Sequence, residues 1–183
     1  MTDQFDIGRH GRARFWVGTC PGAVFPSTES VQSEAEPADV ALKSQQVALE
    51  IKLPKDPRVM YGLLGGRFET DPSATAVRIV VPYSSTPFGD GRAFVTPLAS
   101  PPETPLIGLP KELADAVLEG VADARQRGAR LGSGELRFDC AVYGPVGSSP
   151  SLFRQLSEAV TLLIARNRLS TSDVRQTLSE AVF

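Results

Sequence analysis

The chain reads as an α+β domain with amphipathic helices lying together on one side of a sheet. Three observations carry that reading. Period-two alternation recurs at Val47, Leu49, Ile51 and Leu53, at residues 75–81 and at residues 136–142, the mark of strands with one buried face. Apolar residues return at helical spacing over 113–124 and 152–164. Each helix has an opening signal, Pro110 at the first position of one and Ser149 as cap with Pro150 first in the other.

Each element follows in order. Residues 12–19 are aromatic and β-branched at the centre and predict a strand. Residues 20–41 lose all periodicity and hold Pro21, Pro26 and Pro37 with Glu29, Glu34, Glu36 and Asp39, so an acidic surface loop is expected. That loop is a solvated excursion or a docking segment for a basic partner. Order returns at Gln45, where Glu50 and Lys52 alternate with the apolar set until Pro54 ends the strand. Residues 59–64 fit a helical turn or a strand, and Gly65-Gly66 predicts a turn after them.

Residues 75–81 predict a second strand, Gly89-Asp90-Gly91 a turn, and residues 92–97 a shorter strand. Pro101, Pro102, Pro105 and Gly108 then keep the link irregular. Pro110 suits a first helical position, and Leu113, Ala116, Val117, Val121 and Ala124 share one face. Leu136, Phe138, Cys140 and Val142 form the inward row of a third strand. Ser149 caps the next helix, whose buried face runs from Leu152 to Ile164. A last helix begins near Ser170, with Ser170 and Asp173 as a capping pair and Val174, Leu178, Ala181 and Val182 as a narrow apolar face.

At 183 residues and 42% hydrophobic, the chain fits one domain over 1–183. An N-terminal strand and acidic loop occupy 1–44, the α+β core 45–166 and a C-terminal helix 167–183. Lys+Arg number 19 against 21 Asp+Glu, so no bulk positive field draws the chain to nucleic acid or an anionic membrane. No apolar run has the length of a membrane span and the N-terminus lacks a signal-peptide core, so no membrane partner and a reducing, cytoplasmic setting are expected. Cys20 and Cys140 lie far apart without metal-ligand spacing. Cys140 reads as a buried free thiol, and Cys20, before Pro21-Gly22, as a turn residue or a reactive thiol.

A family likeness emerges from Gly65 onward. The chain shows Gly65-Gly66-Arg67, then Pro110-Lys111-Glu112, Ala116-Val117 and Gly120, and finally Val146-Gly147-Ser148-Ser149 and Phe153. Over about residues 65–166 this resembles the fourth domain of elongation factor G, most closely from Leu109 on. The resemblance implies a two-layer module with a mixed four-stranded sheet, helices on one face and a left-handed βαβ crossover. It also implies a ribosomal or structured-RNA partner. The family turn Asp-Gly-x-Tyr-His-x-Val-Asp-Ser-Ser is here Tyr143-Gly144-Pro145-Val146-Gly147-Ser148-Ser149. It lacks the family histidine that lies at the tip reaching the decoding region. Gly-Gln-Tyr-Gly of the other tip loop is replaced by Phe68-Glu69, and no Gly-x-x-x-x-Gly-Lys-Ser/Thr phosphate loop occurs.

Chemistry-bearing residues are few. His10 is the single histidine, so it would have to serve any Ser-His-Asp set, and an exposed polar residue is the simpler reading. No metal site and no cofactor are expected, because the acids are scattered and the cysteines separated. Arg9, Arg12 and Arg14 with Trp16 form the basic-aromatic patch that would meet phosphate and base, while core aromatics behind a solvated arm are the plainer account. Arg67, Ser148 and Ser149 are the other candidate anion contacts, with helix capping as the alternative for the serines. A non-enzymatic interaction module for ribosome, RNA or protein is the expectation. The alternatives are a small enzyme using Cys20, Asp90 or Glu103, and a homo-oligomer joined through the last helix or a sheet edge.

Overall fold

All nine strands among the described residues join one sheet. The computed structural model describes residues 2–7, 11–55, 58–90, 97–99, 103–166 and 169–180. In chain order the elements are β1 (Thr2–Ile7), β2 (Gly11–Val17), β3 (Ser30–Ala35), β4 (Gln45–Lys55), β5 (Arg58–Thr70), β6 (Val77–Pro82), β7 (Gly89–Asp90), β8 (Leu106–Ile107), α1 (Lys111–Gln126), β9 (Gly134–Tyr143), α2 (Pro150–Ile164) and α3 (Thr171–Glu180). The sheet runs β1-β2-β4-β5-β9-β6-β3, with β8 on β9 and β7 on β8. All pairs are antiparallel except β6 with β9, which are parallel and joined through α1. The α+β class stands, but the sheet has nine strands among the described residues instead of four. The N-terminal strands extend the core sheet edge to edge.

Helices α1 and α2 pack on each other and on one side of the sheet, α1 against β3 and β6, α2 against β4 and β5. The predicted inward rows are buried: Val47, Leu49 and Ile51 on β4, Leu113, Val117, Val121 and Ala124 on α1, Phe153, Leu156 and Val160 on α2. Phe138 and Phe153 are both fully enclosed. Pro110 sits one position ahead of α1, and the Ser149 hydroxyl accepts from Leu152 N–H at 3.2 Å as the cap of α2. The Ser170–Asp173 capping box forms in both directions, and α3 places Val174 and Leu178 in the core, its Arg175 lying over Phe5 of β1. Ala181, Val182 and the strand expected at 92–97, apart from Pro97, lie outside the described residues.

Five expectations need correction. Residues 2–7, assigned to no strand from the sequence, form β1, because pairing with β2 satisfies the backbone and lets Phe5 pack edge-on against Phe15 at 6.1 Å. The acidic loop contains β3, an edge strand paired to β6 with no fully buried residue and so no alternating signature. Pro54 does not end β4; it pairs with Val59 near the hairpin, where a missing donor is tolerated.

Gly65-Gly66 is no turn but the middle of β5. A Cβ on Gly65 would sit 3.0 Å from those of Ala48 and Cys140, and one on Gly66 would sit 3.0 Å from Phe138 and 3.1 Å from Val160. The glycines are there for close packing on both faces. Finally, Cys20 and Cys140 are not free thiols: they form a disulfide across a sequence separation of 120. Folding the 20–26 segment back along β9 brings them together, which no local pattern encodes.

Candidate functional site

The sheet face away from the helices carries the polar groups. Register fixes which ones: Arg14 stands opposite Glu50, Trp16 opposite Ala48, Ala48 opposite Gly65 and Gly65 opposite Cys140. Because Leu49 and Ile51 point toward α2, Glu50 must point the other way. It is nevertheless fully buried. Arg14 donates to Glu50 Oε2 from Nε at 2.9 Å and from Nη2 at 2.5 Å. Tyr61 O–H at 3.0 Å and Leu98 N–H at 2.7 Å both donate to Oε1.

Burial pushes the Glu50 carboxyl above its ordinary range, opposed by the Leu98 amide and then by Arg14. Burial and the Glu50 charge push the Tyr61 phenol up, so it stays protonated. With four donors on two oxygens, Glu50 is committed to holding the segment around Leu98 and the strands β2, β4 and β5 together. Its chemistry is that of a tie, not of a general base.

An open cleft of about 710 Å³ lies between the segment from Val24 to Glu29 and strands β5 and β9. Its floor lies at a bulge. Gly65 pairs with Cys140 but Arg67 with Arg137, so β9 spends three residues where β5 spends two. Asp139, two residues along β9 from Arg137, shares its side of the sheet with both arginines. Asp139 Oδ2 receives Arg67 Nη2 at 3.1 Å and Arg137 Nε at 3.3 Å. Arg67 also meets Glu69 at 3.2 Å, and its buried Nε has no acceptor among the described residues. One wall is aromatic: Phe25 stacks on Phe88 at 5.5 Å, and Phe88 is 44% and Val24 55% exposed. A mixed floor beside an exposed ring can orient a polar backbone and bury an apolar group.

The expected site residues disperse. Arg9 and His10 lie outside the described residues. Arg12 is exposed on β2, opposite Asp6 and Lys52. Arg14 lies 4.8 Å over the Trp16 ring, and that ring is buried, so the pair faces inward and not toward a nucleic acid base. Ser148 donates to Tyr61 O at 2.6 Å and accepts from Gly144 N–H at 2.8 Å, while Ser149 caps α2. Of the predicted set, only Arg67 lines the cleft.

Among the enzyme candidates, Cys20 is bonded to Cys140, Glu103 accepts from Val146 N–H at 3.3 Å, and the Asp90 side chain lies outside the described residues. Glu50, Tyr61, Arg137, Asp139, Phe25 and Phe88 were not foreseen. Only the cross-strand register brings them together. Among the described residues no three His, Cys, Asp or Glu converge as metal ligands, and no helix is long and apolar enough to cross a membrane. No family model, no curated protein and no solved structure matches the chain.

Proposed function

We propose that the chain is a non-enzymatic interaction module that takes a segment of a partner protein into the cleft on its helix-free face. The observation carrying this reading is the juxtaposition of the Arg67–Asp139–Arg137 floor with the exposed Phe88 ring and Val24. Aromatic and arginine groups around a partly apolar recess are the composition that anchors protein contacts.

The resemblance to the fourth domain of elongation factor G favours a scaffold that works by contact, and it raises ribosome or structured RNA as the partner. Charge accounting weighs toward protein instead. Glu50 faces Arg14, and Asp139 and Glu69 face Arg67, which leaves little uncompensated positive charge to displace counterions from phosphates. The proposal keeps the cytoplasmic setting. In that compartment the Cys20–Cys140 bond would form and break and not persist.

A benzophenone amino acid placed at Phe88 tests the reading. In native lysate it should crosslink one predominant protein, and Arg137→Glu should abolish the adduct. Sedimentation with ribosomes at low and high salt tests the RNA version. No specific adduct in the first experiment would remove the protein reading, and ribosome binding that weakens with salt would replace it.

A further inference from the structure

Cys20 and Cys140 are the two cysteines of the chain, and the fold joins them. The two sulfurs sit in unlike places. Cys140 is 1% exposed in β9, while Cys20 is half-buried in the irregular stretch after β2. The bond stands at the root of the segment whose residues Val24 to Glu29 form one wall of the cleft. Otherwise that root is tied to β9 by two backbone hydrogen bonds, Phe25 N–H to Asp139 O at 3.0 Å and Ala141 N–H to Ala23 O at 3.2 Å, and by the buried Ala23 and Phe25 side chains. These contacts fill the gap along β9 between the stretches paired to β6 and to β8.

We propose that Cys20–Cys140 is a thiol–disulfide exchange site, at which a dithiol reductant opens the bond and loosens the cleft wall. The reductant thiolate attacks Cys20 Sγ, the sulfur of the less buried residue. The Cys20–Cys140 bond breaks as a mixed disulfide with Cys20 forms, and Cys140 leaves as a thiolate that takes up a proton. The second thiol of the reductant then attacks the mixed disulfide, releasing Cys20 as a thiol and the reductant as its own disulfide. Two electrons pass from the dithiol to the protein, and an oxidised dithiol reverses the exchange. Once the bond is open, the Ala141 amide keeps its partner only while Ala23 stays docked. The redox state therefore sets how firmly the wall is held, whether or not a protein segment occupies the cleft.

The test uses the full chain purified in air. An alkylating agent without reductant should add to neither cysteine. After dithiothreitol under native conditions it should add to Cys20, with Cys140 reacting fully only after denaturation. Hydrogen exchange at the Phe25 and Ala141 amides should then quicken about tenfold or more, with the β4–β5 ladder unchanged. Cys20→Ser should reproduce the faster exchange without reductant. Alkylation of both cysteines before reduction would overturn the proposal. So would a bond that yields only after unfolding, or exchange at those two amides that is the same in both redox states.

Discussion

Replacing Glu50 with alanine asks how much the helix-free face depends on one enclosed carboxylate. Four donors converge on it: two from Arg14 at 2.9 and 2.5 Å, the Tyr61 phenol at 3.0 Å and the Leu98 amide at 2.7 Å. The Arg14 side chain is 12% exposed, so water replaces the lost carboxylate poorly. Breaking one side of such a buried pair costs about 3–5 kcal/mol, a large share of the roughly 5–15 kcal/mol that holds an ordinary domain folded. Arg14→Met combined with Glu50→Leu should cost less than Glu50→Ala alone, because no charge is stranded.

The pH dependence has a definite sign. Burial raises the folded carboxyl above its ordinary 4.5, so the native state holds the proton more tightly than the unfolded chain does. The contribution is complete below that value and is lost as pH climbs from it through the raised folded value. Glu50→Gln should flatten that part of the profile. Guanidinium chloride unfolding followed by the fluorescence of Trp16, the single tryptophan, reads all of these. The reasoning fails if Glu50→Ala lies within about 1 kcal/mol of the parent, or if the double replacement is no better than the single. It fails equally if Glu50→Gln leaves the pH profile unchanged.

Other outcomes follow from the packing. Gly66→Val should cost roughly 1–3 kcal/mol in thermal melts, because its side chain enters the space of Phe138, Val160 and Ile164. Phe153→Ala should lose about 3–5 kcal/mol by denaturant titration, since the ring is wholly enclosed between α2 and the sheet. Ser149→Ala should remove about 1 kcal/mol, measured the same way, while Ser149→Asp should keep most of it by preserving an acceptor for Leu152 N–H.

Local chemistry wrote part of this fold plainly. Helices α1 and α2 announce themselves because each carries a full apolar stripe and its own opening signal, and β4, β6 and β9 because apolar residues recur at every second position. Strand β3 stayed hidden because it lies on the rim with only its flank covered, so nothing forces its residues to alternate. Glu50 looked like an outward residue, and by register it is. What the sequence cannot convey is that a segment near Leu98, 48 residues away, closes over it. The disulfide and the cleft floor share this character: each depends on neighbours set by pairing across the sheet, such as Arg67 with Asp139. The glycine pair misled for a related reason, since crowding from both faces leaves the same mark as a bend.

Strand β9 has consequences for how the chain is made. Among the described residues it alone pairs with β5 on one flank and, on the other, with three separate pieces, at Val24, Val77–Val80 and Leu106–Ile107. During synthesis β5 and β6 emerge well before it, each with one edge waiting for a partner that is still inside the translation machinery. Such an architecture folds slowly, because distant loops must close before contacts repay them. Until β9 arrives, those waiting edges are where a nascent chain would recruit a chaperone or pair with another copy of itself.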